Sequence, residues 1–115
     1  MHEHMLASLL NNSILRLCND HGWNKVRKIL IRAGGIGRIN PELMTYIFKR
    51  VSQGTITEGA EFAVMCTPVV LKCKACGRKN ARDDLEKICP SCGSDKVEIV
   101  SGFDLSIEAL EVDQF

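Results

Sequence analysis

Two Cys-x-x-Cys pairs carry the strongest chemical signal in this chain. Cys73-Lys74-Ala75-Cys76 is followed, twelve residues later, by Cys89-Pro90-Ser91-Cys92. Pairs at this distance suit a tetrahedral Cys₄ zinc site, each pair supplying one knuckle while the intervening loop folds back between them. Each pair is followed by glycine, Gly77 or Gly93, which lets the backbone turn tightly with N–H groups facing the thiolates. The competing readings are two disulfides or four unrelated buried thiols. Lys-rich flanks and no secretory context argue against an oxidised framework. With all four cysteines committed to one closed site, no open position remains for a water, which disfavours a small zinc hydrolase.

A second set of potential ligands stands at the start, Met1-His2-Glu3-His4. Methionine aminopeptidases usually remove Met1 only before a small residue, so the large His2 should leave Met1 in place with a free α-amine. That amine, the His2 imidazole and nearby backbone amides can form fused chelate rings around one metal. If the amides deprotonate, the resulting all-nitrogen, square-planar set suits Ni(II) or Cu(II) and not Zn(II). Glu3 could donate an outer carboxylate or orient the imidazole. The alternative is that His2 and His4 are solvated polar residues ahead of a helix.

Other candidate sites are weaker. Gly34-Gly35-Ile36-Gly37 lacks both the dinucleotide fingerprint and the Gly-Lys-Ser/Thr of a nucleotide loop, so it is expected to be a turn using positive φ values. Lys72, Lys74, Arg78, Lys79, Arg82, Lys87 and Lys96 in the ribbon are offset by Asp83, Asp84, Glu86, Asp95 and Glu98. They read as a solvated face, since the segment has no aromatic residue on which a base could stack. No Ser/His/Asp, paired-acid or Cys/His arrangement marks a catalytic apparatus, and no enzyme activity is expected.

The elements that must hold these groups follow from periodicity. Leu6, Leu9, Leu10, Ile14, Leu17 and Cys18 recur at three and four, predicting an amphipathic helix from about His4 to His21, closed by Gly22. Lys25 to Ala33 reads as a strand, with Ile29, Ile31 and Ala33 on one face and Lys28 and Arg32 on the other. Asn40-Pro41 starts a second helix running to about Ser52. Glu61 to Cys66 alternates as a second strand, and Cys18 and Cys66 are expected to be small core residues. Val97–Val100 and Leu105–Val112 are strand-like. In the latter, Leu105 and Ile107 are one residue out of phase with Leu110 and Val112, which predicts a β-bulge near Ala109.

The expected fold is therefore α/β of the two-layer α+β kind. A small mixed sheet with two helices occupies residues 1–67 and 99–115, with a zinc-ribbon module inserted at 68–98. The chain has 115 residues, 45% hydrophobic and 25% charged, with a net charge of +1. These values describe an ordinary soluble protein without bulk attraction to nucleic acid or anionic membrane. No apolar run approaches the ~20 residues of a membrane span, and a cytoplasmic location with reduced thiols is expected.

Over essentially the whole chain these features resemble the hydrogenase nickel-insertion accessory proteins of the HypA/HybF family. The likeness is carried by Met1-His2-Glu3, His21-Gly22 with the strand behind it, and Pro41-Glu42 opening the second helix. It continues through Gly54-Thr55-Ile56, Glu58-Gly59-Ala60, the ribbon with Cys89-Pro90-Ser91-Cys92-Gly93, and the tail Ile107-Glu108-Ala109-Leu110-Glu111-Val112. The resemblance implies a metallochaperone that binds Ni(II) weakly at its start and holds a structural Zn(II). It would deliver nickel to the [NiFe]-hydrogenase large subunit with a HypB-type GTPase and, in some organisms, serve urease and its accessory proteins. By the same likeness His2 is the nickel ligand, Met1 contributes its amine and Glu3 lies in or beside the site, while Cys73, Cys76, Cys89 and Cys92 hold zinc. The chain departs from the family pattern at Gly34-Gly35, where Gly-Glu is common, and at His4, expected to be exposed. The competing function is a zinc-ribbon nucleic-acid-binding or transcription-associated adaptor, opposed by the near-neutral charge and missing aromatics.

Overall fold

The computed structural model describes residues 3–82 and 87–113. Helix α1 spans Glu3–His21, strand β1 Lys25–Gly34, helix α2 Pro41–Val51 and strand β2 Glu61–Thr67. Strands β3 (Val69–Cys73), β4 (Lys79–Arg82), β5 (Val97–Ser101) and β6 (Leu105–Asp113) follow. They form two three-stranded sheets, ordered β2-β1-β6 and β4-β3-β5. The chain divides into two compact units, one of residues 1–31, 39–65 and 106–115, the other of residues 32–38 and 66–105.

In the first unit, Ala7, Leu10, Ile14 and Cys18 of α1 are buried with Met44 and Phe48 of α2 and Val26, Ile29 and Ile31 of β1. Phe48 stacks on Phe62 of β2 at 4.3 Å between ring centroids. Leu9, expected in the buried stripe, is 55% exposed. The stripe centres on Ala7, Ile14 and Cys18, which turns position 9 to the opposite side of a helix with 3.6 residues per turn. The end of α1 is set locally, with Trp23 N–H reaching Cys18 O at 2.9 Å, the hydrogen bond of a Schellman cap. His21 Nδ1 bonds Leu17 O at 2.9 Å, as suits a helix-end histidine. Helix α2 is capped as its sequence predicts, Asn40 Oδ1 accepting from Leu43 N–H at 3.1 Å with Pro41 in the first turn.

The phase change in β6 falls where expected. Glu108 and Ala109 are both exposed, while Ile107, Leu110 and Val112 pack on the core. Cys66 is a correction: it is exposed. Strand β2 outruns the core, whose packing ends at Val64, and Cys66 already belongs to the second unit.

A buried polar network joins α1 to the turns after α2. Thr57 Oγ1 donates to Asn11 Oδ1 at 2.5 Å, Asn11 Nδ2 to Val51 O at 3.4 Å, and the Thr55 and Thr57 hydroxyls lie 2.8 Å apart. Asn11 and Thr57 are 4% and 1% exposed, so neither has water to fall back on. Thr57→Val should therefore leave Asn11 Oδ1 without its donor and cost ~1–3 kcal/mol in urea unfolding. Adding Asn11→Leu to Thr57→Val should recover part of that loss, because no orphaned oxygen then remains. A fully additive double variant would contradict the coupling.

The second unit holds the antiparallel sheet β4-β3-β5. Strand β5 pairs along β3 with a register shift between Val70 and Leu71, and this unit continues through Leu105. The glycine-rich segment here corrects an expectation. It forms a 3₁₀ turn over Gly35–Gly37, and its left-handed residue is Arg38, at φ 51°. Glycine is needed for space instead: a Cβ on Gly34 would collide with the main chain of Gly102, and one on Gly35 would sit 3.0 Å from Val69 Cγ2. The absence of side chains lets Gly34 N–H reach Asp104 O at 2.6 Å and Ile36 N–H reach Gly102 O at 3.0 Å.

Candidate metal centre

The two cysteine pairs sit on near-identical knuckles. In the first, Cys73 N–H bonds Arg78 O at 2.9 Å and Gly77 N–H returns to Cys73 O at 2.9 Å. In the second, Cys89 N–H bonds Ser94 O at 2.8 Å and Gly93 N–H returns to Cys89 O at 2.8 Å. Gly77 and Gly93 adopt φ 78° and 77° with open space where a Cβ would stand. Here glycine is required by the left-handed backbone and not by crowding. Each turn aims its amides inward, and Cys76 N–H lies 3.4 Å from Cys73 Sγ.

The four sulfurs all lie within 4.8 Å of one another. Cys73 Sγ is 3.6 Å from Cys92 Sγ, and Cys76 Sγ is 3.7 Å from Cys89 Sγ. A disulfide would bring two sulfurs to about 2.05 Å, so these are four separate thiols. A tetrahedron with metal–sulfur bonds of about 2.3 Å has edges of about 3.8 Å, close to both cross-pair distances. The quartet can therefore hold one tetrahedral, thiophilic ion such as zinc. Cys73 and Cys89 are buried while Cys76 and Cys92 face outward, and four protein ligands close the coordination sphere.

The knuckle amides also set the acidity of these thiols. The Cys76 N–H, foremost, lowers Cys73. The Cys92 N–H, foremost, pulls Cys89 down to about 6. The Ser94 N–H pulls Cys92 downward too, but the adjacent Cys73 sulfur, burial and the other two sulfurs together push it up to about 12. An empty quartet at neutral pH thus retains protons that a metal must displace. The loaded state binds fewer protons than the empty one, so metal affinity rises with pH and falls on acidification.

At the chain start, Met1 and His2 lie outside the described residues. Glu3 opens α1, and its carboxylate accepts from Asn40 N–H at 3.2 Å, at the cap of α2. No local sequence signal could have found that contact between residues 37 apart. His4 and His21 are exposed. Among the described residues the quartet is the one His/Cys/Asp/Glu group whose ligand atoms converge for a metal, and none of the described helices is long and apolar enough to cross a membrane.

Fold and site together define a small α+β protein with a four-cysteine zinc-ribbon-like module. The family profile described as "Hydrogenase/urease nickel incorporation, metallochaperone, hypA" matches residues 1–112, and the chain belongs to this HypA family. It is 28% identical over 113 residues to the hydrogenase maturation factor HypA of Aquifex aeolicus, covering 98% of both chains. It is 31% identical over 106 residues to the hydrogenase maturation factor HypA of Trichormus variabilis, covering 91% of this chain and 93% of that one. The solution structure of the nickel metallochaperone HypA from Helicobacter pylori superposes with a TM-score of 0.68 at 21% identity, covering 97% of each chain. That likeness establishes a shared fold.

Proposed function

We propose that this protein is a nickel metallochaperone of hydrogenase maturation, with a structural zinc in the cysteine quartet and Ni(II) as transient cargo at its start. One observation carries the reading. A single chain matching the family from residue 1 to 112 combines a converging set of four thiols with the sequence Met1-His2-Glu3. In this account the Met1 α-amine and His2 imidazole bind nickel. Glu3, whose carboxylate accepts from Asn40 N–H, lies in or beside that site. The partners are a HypB-type GTPase and the [NiFe]-hydrogenase large subunit in the cytoplasm, with urease and its accessory proteins as further clients.

The two centres answer opposite requirements. A metal that stabilises a fold must not exchange, and a closed set of four thiolates gives that. A cargo metal must be released, and a chain terminus with few fixed ligands gives that. In cells lacking this protein, hydrogenase activity should fall and partly recover when excess nickel is supplied, since mass action can replace assisted delivery. Unchanged hydrogenase activity after deletion, in a host with no second copy, would sink the reading.

A further inference from the structure

Three of the four sheet edges among the described residues are guarded against pairing with other chains. Natural edge strands are blunted by shortness, charge, proline or bulges. Strand β4 has four residues and carries Lys79 and Arg82. Strand β5 carries Glu98, and its pairing with β3 is interrupted by a register shift. Strand β6 carries Glu108, Glu111 and Asp113 along with its change of phase. Strand β2 forms the fourth edge, in the order β2-β1-β6, yet residues 62–67 contain no charge, proline or glycine. Among the described residues no turn or loop hydrogen-bonds to its outer side, and Glu61 and Ala63 are exposed. An uncharged row of main-chain N–H and C=O groups is thus open to solvent.

Within the helical unit this edge comprises residues 61–65. Phe62 and Val64 pack on the core, so strand alternation puts Glu61, Ala63 and Met65 on the opposite face. There a groove of about 380 Å³ runs over Leu30 of β1, lined by Ala63 of β2 and Ala109 of β6. Ala63 presents only a methyl group, so it does not wall the groove off from the free edge. Lys28, Glu61 and Glu111 also line it. Lys28 stands 3.8 Å from Glu61 in a loose, exposed pair. Glu111 has no cation within ion-pair distance among the described residues. The groove therefore combines an apolar floor with a surplus of negative charge.

We propose that the edge of β2, over residues 61–65, receives an extended segment of a partner protein as a fourth strand. Main-chain hydrogen bonds along a free edge supply affinity for such a segment, and its alternate side chains supply selectivity. On the groove side, an apolar side chain reaches over Ala63 toward Leu30, and a neighbouring Lys or Arg meets Glu61 and Glu111. Five residues of strand span about 17 Å, a contact well short of the ~1,200 Å² of a stable complex. That favours a transient partner segment over a permanent dimer of this chain. None of these residues belongs to either proposed metal site, so failure here would leave both metal assignments intact.

The probes are seven-residue synthetic peptides with blocked ends. One is Lys-Val-Thr-Val-Thr-Val-Lys, the second has Glu in place of Lys, and the third is the basic peptide N-methylated at every Val and Thr. The third keeps the charge and loses the main-chain donors. Each is titrated into ¹⁵N-labelled full-length protein while amide shifts and hydrogen exchange are followed. The basic peptide should protect the amides of residues 61–65. The acidic one should bind at least about fivefold more weakly at about 50 mM salt, a gap that closes at about 0.5 M. The N-methylated peptide should not bind. Ala63→Lys, which places a charge on the edge, should weaken the basic peptide at least about tenfold while the amide spectrum of α1 and α2 is unchanged. Glu61→Gln with Glu111→Gln should remove most of the preference for the basic peptide. No protection of residues 61–65 at about 5 mM basic peptide, a concentration that fills even a millimolar site, overturns the proposal. So does equal binding of the N-methylated peptide. Concentration-dependent protection of residues 61–65 in the protein alone also overturns it, since the edge would then join two copies of this chain.

Discussion

Cys73→Ser and Cys89→Ser should each lose the zinc, about one ion per chain, and unfold the ribbon while the helical unit stays folded. Serine leaves a hydroxyl where a thiolate must bind, so the tetrahedron drops to three effective ligands. Among the described residues the ribbon has little else to hold it, since its buried apolar side chains there are Val69 and Leu71 besides the two cysteines themselves. Structural zinc in small modules supplies on the order of 10 kcal/mol of apparent binding free energy, which is also folding free energy. The first unit has its own core, from Ala7 and Ile14 through Phe48 to Phe62. Metal analysis should therefore read near zero for both variants. Hydrogen exchange should lose protection in β3, β4 and β5 and keep it in α1, α2 and β1. Full zinc content in both variants would contradict the quartet as the metal site.

His2→Ala should abolish tight nickel binding while zinc content and melting temperature barely change. Changing a group that only supports a metal ligand already costs about 10–100-fold in affinity, so removing a direct ligand should cost at least about a hundredfold. The fold should not notice. Helix α1 begins at Glu3 and its first fully buried residue is Ala7, and a substitution ahead of the core belongs with surface changes of within about 0.5 kcal/mol. Acid should release this nickel readily, because protons compete for the amine and the imidazole. Nickel affinity unaltered by His2→Ala would move the site to His4 or His21, both exposed side chains.

What could be read from the sequence was what is decided locally. The thiol quartet depends on two short loops whose spacing and trailing glycines are written consecutively. The structure accordingly brings Cys73, Cys76, Cys89 and Cys92 together. Asn40-Pro41 and Gly22 likewise set helix ends within a few residues. The phase slip in β6 was legible because Leu105, Ile107, Leu110 and Val112 break a period of two in plain view.

Contacts between distant segments were not legible. Strand β4 is Lys-Asn-Ala-Arg, with no apolar alternation, and it exists because β3 offers it a partner. The glycines at 34 and 35 looked like a positive-φ turn, whereas their role comes from the approach of Gly102 and Val69 some seventy and thirty-five residues away. Cys66 continued an alternating pattern past the end of its core. The Glu3–Asn40 hydrogen bond joins two helix starts that no periodicity links.

The central claim, that nickel is bound through the free chain start, meets its most direct test in a nickel titration of two untagged proteins. One begins at Met1, and the other carries a single additional residue ahead of Met1. The extension converts the Met1 amine into an amide and moves His2 inward, while every cysteine and the whole of α1 are unchanged. The account predicts about one nickel per chain for the native start, a loss of tight binding in the extended form, and equal zinc content in both. Equal nickel affinity in the two proteins would contradict it.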